Sequence, residues 1–190
     1  MELTFEELLK YCNGKVIVDK EEKIFNTLST DTRNIKNGNV FLALKGENFN
    51  GNKYVKEAFE KGATIAIVDE VLFEENDIDG VVIKVNNGKK ALLDIAKGYR
   101  EKLGLKVVGI TGSTGKTSTK DLVSAFLSGK YKVFKTKGNF NNEIGLPLMV
   151  LQLDSSIDVA VLEMGMSDFN EIHNLADCAR PDIAMITNIG

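Results

Sequence analysis

Short apolar runs alternate along this chain with stretches whose apolar positions recur at helical spacing. Residues 16–18, 24–28, 40–44, 64–68 and 81–85 read as strands; 40–44 is apolar throughout, as in a strand buried on both faces, and 64–68 is the next buried strand. Between them lie helical patterns. Thr4 and Glu7 form a capping-box pair ahead of Phe5, Leu8 and Leu9, with Asn13-Gly14 as the stop. Residues 54–61 carry Val55, Ala58 and Phe59 on one face and end at Gly62, and residues 89–103 bury Leu92, Leu93, Ile95, Ala96 and Tyr99. Asn37-Gly38 is a turn, and the acidic connection 69–79 is expected to be tied down by Val71, Leu72 and Phe73.

Gly104 marks the expected boundary of a second unit. There the strand 106–110 runs into Thr111-Gly112-Ser113-Thr114-Gly115-Lys116-Thr117-Ser118 and a helix over 116–127. Then come a strand at 131–135, a polar loop from Gly138, a helix at 144–153 with Pro147 tolerable only in its first turn, a buried strand at 158–162 ending on Glu163, a helix at 169–179 and a strand at 183–187. Strands alternating with helices imply an α/β protein with largely parallel sheets. The expected division is a small α/β domain over 1–103, then the first half of a P-loop ATPase domain over 104–190. With so few strands, the second unit reads as part of a longer protein.

The stretch 106–118 has the order of a phosphate-binding P-loop: β-branched strand, glycine-rich turn, helix. Glycines let the backbone approach an anion, and successive N–H groups and the helix N-terminus then face the phosphates. Lys116 would reach the β/γ-phosphates and Thr117 would ligate Mg²⁺. The strict pattern wants glycine where Ile110 stands. An acidic residue closing a second apolar strand helps hold Mg²⁺ in such proteins, which points to Glu163. Asn139, Asn141 and Asn142 either donate to substrate oxygens or form local Asx turns. Lys130, Lys132, Lys135 and Lys137 read as a solvated edge, and His173 as a surface residue.

Composition narrows this little. The 190 residues are 43% apolar and 27% charged, ample for a core, and a net charge of −3 gives no general attraction to nucleic acid. Cys12 and Cys178 lack metal-ligand spacing and fit small buried fillers in a reducing compartment. No membrane-length apolar run or signal-peptide pattern is present, so a cytoplasmic monomer is expected, without membrane or nucleic-acid partners.

Four stretches together resemble the Mur ligases of bacterial cell-wall synthesis, and within them the MurF type: residues 29–33 with Gly38 and 40–47; 109–118; Gly138-Asn139-Phe140-Asn141-Asn142-Glu143-Ile144-Gly145-Leu146-Pro147; and Glu163-Met164-Gly165 with Glu171-Ile172. The resemblance accounts for Ile110, since Thr-Gly-x-x-Gly-Lys-Thr is the family's own loop. It implies a first domain binding the UDP end of UDP-N-acetylmuramoyl-tripeptide, a central ATPase, and a third domain receiving D-alanyl-D-alanine. The tripeptide carboxylate is phosphorylated by ATP with Mg²⁺, and the dipeptide amine attacks the acyl phosphate. Residues 112–117 would cradle the phosphates, with Lys116 and Glu163 as the catalytic pair and Thr117 and Glu163 on the metal. Substrate contacts would come from Thr30, Asp31, Arg33, Lys45, Gly46, Asn50, Gly51 and the asparagine loop. A chain of this extent alone is expected to be inactive. In two places the sequence departs from the family: Asn52 stands where histidine is usual, so no UDP contact by that histidine carries over, and Asn170 replaces a glycine. Asparagine tolerates the left-handed backbone such a turn needs. Other readings are a Mur ligase adding a single amino acid, against which the asparagine loop argues; a non-catalytic nucleotide-binding module; and a kinase, weakened by the lack of a visible arginine-bearing lid.

Overall fold

The computed structural model describes residues 1–20 and 23–190, and the chain divides into two compact units, Met1–Ile95 and Ala96–Gly190. The division falls inside one helix, α3 below.

In the first unit, α1 (Phe5–Cys12) starts on the Thr4–Glu7 capping box and ends at Asn13 in the left-handed region. A five-stranded sheet follows, in the order β1-β5-β4-β3-β2, from β1 (Lys15–Asp19), β2 (Thr27–Ser29), β3 (Asn39–Leu42), β4 (Ala63–Val68) and β5 (Val81–Lys84). β2, β3, β4 and β5 are mutually parallel, and only β1 runs antiparallel, against β5. β3 is buried along its whole length, as its continuous apolar run requires. Phe41, Ala66, Val68 and Val82 form one core face with Val55 and Ala58 of α2 (Val55–Glu60).

Two expectations for this unit are corrected. Residues 24–26 are not strand: Asn26 donates to Asn37 O and accepts from Asn39 Nδ2, which fixes it on the turn at 37–38 and delays β2 to Thr27. In the acidic connection, Val71 and Leu72 are half exposed. Phe73 and the fully buried Ile78 anchor it instead.

α3 (Gly88–Leu103) leads into the second unit. Its Tyr99 is fully buried and donates to Leu153 O at 2.7 Å. Its Arg100 is buried and donates to Ala179 O, Arg180 O and Asp182 Oδ2. Lys106 and the Val107 N–H also bond Asp182, whose carboxyl they hold down at about 2.

The second sheet has four strands, all parallel, in the order β7-β8-β6-β9: β6 (Lys106–Thr111), β7 (Val133–Lys135), β8 (Val159–Glu163) and β9 (Ile183–Ile186). Val108, Ile110, Val159 and Val161 pack under Val123 and Leu127 of α4 (Lys116–Leu127). Pro147 lies in the first turn of α5 (Gly145–Val150), where its missing N–H costs no helical bond. α6 (Glu171–Ala179) begins later than the periodicity suggests, leaving Phe169 exposed. Asn170 supplies its N-cap at φ 65°, the left-handed turn expected where the family has glycine. Both cysteines are buried and unbridged. No helix among the described residues is long and apolar enough to cross a membrane.

Candidate nucleotide site and substrate loops

A parallel sheet sends the carboxyl ends of its strands to one side, and ligands of such sheets bind there. In the second unit those ends deliver the glycine loop after β6, Thr136 after β7, Glu163 at the end of β8 and Thr187-Asn188 after β9. The sequence singled out the first and third of these. The other two were missed as individual residues, although their place just past a strand end is itself a signal.

Gly112 (φ 138°) and Gly115 (φ 77°) turn the loop, and Gly115 caps α4 without a side-chain bond, so the first-turn N–H groups of α4 look out from the loop. Not every loop amide is available: Ser113 N–H donates to Asn188 O and Thr114 N–H to Asn188 Oδ1. Asn188 Nδ2 returns a bond to Thr114 Oγ1 at 2.9 Å, and Thr187 Oγ1 donates to Thr114 O. The two residues form a strut under the loop. Lys116 Nζ donates to Gly112 O at 2.7 Å and Ser113 O at 3.3 Å, folded over the loop's own carbonyls.

Glu163 is 3% exposed, a buried carboxylate at the end of β8. Its Oε2 accepts from Thr117 Oγ1 at 3.0 Å and its Oε1 from Asn141 Nδ2 at 2.9 Å. Its backbone N–H donates to the buried Thr136 Oγ1. The asparagine loop thus divides. Asn141 orients Glu163, Asn142 Oδ1 accepts the N–H groups of Ile144 and Gly145 in an Asx turn that starts α5, and Asn139 is exposed. Beyond Gly165 an open groove of about 530 Å³ is lined by Met166, Phe169, Asn170 and the exposed His173, among others.

In the first unit the carboxyl ends of β2, β3 and β4 gather the other predicted residues. Half-buried Thr30 precedes Asp31, which pairs with Arg33 at 2.7 Å; the guanidinium holds the Asp31 carboxyl down at about 2. Lys45 Nζ and Asn50 Nδ2 both bond Glu70. Gly46 is open to solvent, whereas a Cβ on Gly51 would sit 2.8 Å from Leu44 O. Asn52, at the departure from the family, is 1% exposed. Its amide donates to Asp69 and Asn50 and accepts the N–H groups of Asp69 and Glu70, so it staples this loop to the end of β4.

A family model described as the Mur ligase middle domain matches residues 110–190, and one described as the Mur ligase family catalytic domain matches 25–100. The chain belongs to the Mur ligase family. Among Mur ligases, it is 45% identical over 170 residues to the UDP-N-acetylmuramoyl-tripeptide–D-alanyl-D-alanine ligase of Bacillus subtilis, a match covering 90% of this chain and 37% of that protein. The crystal structure of MurF from Acinetobacter baumannii superposes with a TM-score of 0.91 at 33% identity, over 98% of this chain and 40% of that one. MurF from Thermotoga maritima in complex with ADP gives 0.76 at 36% identity, over 87% and 38%. The chain therefore spans about two fifths of the length of the Mur ligases it matches.

Proposed function

We propose that this chain supplies the substrate-binding domain (residues 1–103) and the first part of the P-loop ATPase domain (residues 104–190) of an ATP-dependent ligase that adds D-alanyl-D-alanine to UDP-N-acetylmuramoyl-tripeptide. The observation that carries this reading is the meeting of Thr117 and Glu163 at 3.0 Å beside the Lys116 loop, at the carboxyl ends of adjacent parallel strands. In the reaction, the γ-phosphoryl group of ATP passes to the tripeptide carboxylate and ADP departs. The dipeptide amine then attacks the acyl carbon, and inorganic phosphate leaves. Lys116 places positive charge at the transferring group, and the first-turn amides of α4 hold the phosphates. A hydroxyl and a buried carboxylate are hard oxygen donors of the kind Mg²⁺ takes, usually one or two from protein with phosphates completing the set. When bound, Mg²⁺ supplies charge neutralisation of the phosphates; Thr117 and Glu163 would hold it.

Glu163→Gln keeps the side-chain shape and removes the anion. In the full-length ligase it should move the Mg²⁺ titration of the rate to higher concentration, read on protein whose folding has been checked by its unfolding transition. A curve superimposable on wild type would end the metal assignment.

We assign the uridine diphosphate end to Thr30, Asp31, Arg33, Lys45, Gly46, Asn50 and Gly51, because they follow the ends of two adjacent parallel strands, β2 and β3, with Glu70 after β4 holding Lys45 and Asn50. Adding millimolar UDP to the isotopically labelled chain should shift amide resonances in loops 30–33 and 45–51. Shifts confined to the second unit, or none, would refute the placement.

A further inference from the structure

Lys120 stands in the nucleotide site with no task in the reading above. It lies one helical turn beyond Lys116 on α4, and its side chain is 5% exposed. Its Nζ is 3.8 Å from Glu163 Oε2, the same oxygen that accepts the Thr117 hydroxyl. A second carboxylate, Asp121 Oδ1, also lies at 3.8 Å, is half exposed and pairs with Lys135. A buried ammonium and a buried carboxylate are each costly alone, and each offsets the other.

We propose that Lys120 is the resident counter-cation of Glu163: it balances the carboxylate and keeps it beside Thr117 before a divalent cation arrives, and yields toward Asp121 when one does. This rests on Glu163 and Thr117 being the metal ligands. Lys120 is thus a positioning residue. Its flexible stem allows such a move, and both partners are equidistant in the structure. Two positive charges cannot share one carboxylate oxygen without repulsion, so metal entry and the Lys120–Glu163 pair are coupled.

The test is thermal unfolding of wild type, Lys120→Met and the double variant Lys120→Met/Glu163→Gln, each in EDTA and in Mg²⁺ with tripolyphosphate. In EDTA the single variant should melt lower by on the order of 10 °C, because Glu163 is left buried and uncompensated. The double variant should regain most of that loss. Mg²⁺-tripolyphosphate should raise the single variant more than it raises wild type, since the metal then takes over the compensation. A loss equal in both buffers, with wild type raised by Mg²⁺-tripolyphosphate, would overturn the inference alone. Wild type unmoved by Mg²⁺-tripolyphosphate would overturn the metal reading and this inference with it. If the single variant does not fold, a cooperatively folding double variant supports the pairing, and a double variant that also fails overturns it.

Discussion

Replacing Lys116 by alanine should slow phosphoryl transfer in the full-length ligase by about 10²–10³ and leave the fold intact. The side chain is half-buried and, among the described residues, donates to two carbonyls of its own loop. Water can replace those bonds, and alanine favours the first turn of α4 at least as well as lysine. Stability should therefore change by no more than about 0.5 kcal/mol. What is lost is a charge aimed at the phosphates, which acts on the transition state rather than on folding. Single-turnover measurement of ADP formation, with denaturant unfolding of the same protein, separates the two. A rate within a few-fold of wild type would remove Lys116 from the chemistry, and a collapse of stability would make the rate uninformative about it.

Gly112→Ala should damage both stability and nucleotide binding. At φ 138° a side chain is strained whatever the space around it, at a cost of roughly 1–3 kcal/mol. Space is also missing: the new Cβ would lie 2.0 Å from Thr187 Oγ1 and 3.0 Å from Asn188 N. Relief requires the strut under the loop to move, and Thr114 loses its partners as it does. Gly115→Ala is the informative comparison, because its φ is 77° but nothing lies nearer than Thr187 Cβ at 3.9 Å. Unfolding free energies and ADP affinities of the two variants should differ, with Gly112→Ala the worse in both. Equal losses would mean that backbone strain alone matters and that the Thr187–Asn188 strut does not.

The features legible in the sequence are those set by local chemistry. The capping box at Thr4, the helix stop at Gly62, the first-turn proline of α5 and the left-handed Asn170 are each decided by neighbours in the chain, and each is found where expected; the run at 40–44 is buried through Ala43, although its strand ends at Leu42. The failures involve distant partners. Asn26 leaves the strand because of Asn39, and Ile78 joins Phe73 in sealing the acidic connection because these two, unlike Val71 and Leu72, reach the core. The same holds in the nucleotide site. Lys116, Thr117 and Glu163 stand out by type and place. Thr136, Asn188 and Lys120 are ordinary polar residues until the strand order β7-β8-β6-β9 brings them together. Asn141 and Asn142 could not be told apart by sequence, since one is used locally and the other reaches across to β8.

The strut also bears on the order of events during synthesis. Thr114 is held by Asn188 across 74 residues of chain, and β9 pairs directly with β6. Strand β6 and helix α4 can form as soon as they are made, but closing a loop of that length has to wait until its far end exists. A ribosome will thus have produced nearly the whole second unit before the glycine turn acquires the shape that receives phosphate. Nascent chains shorter than this carry the motif without the geometry, and so should not compete for nucleotide while they are still being translated.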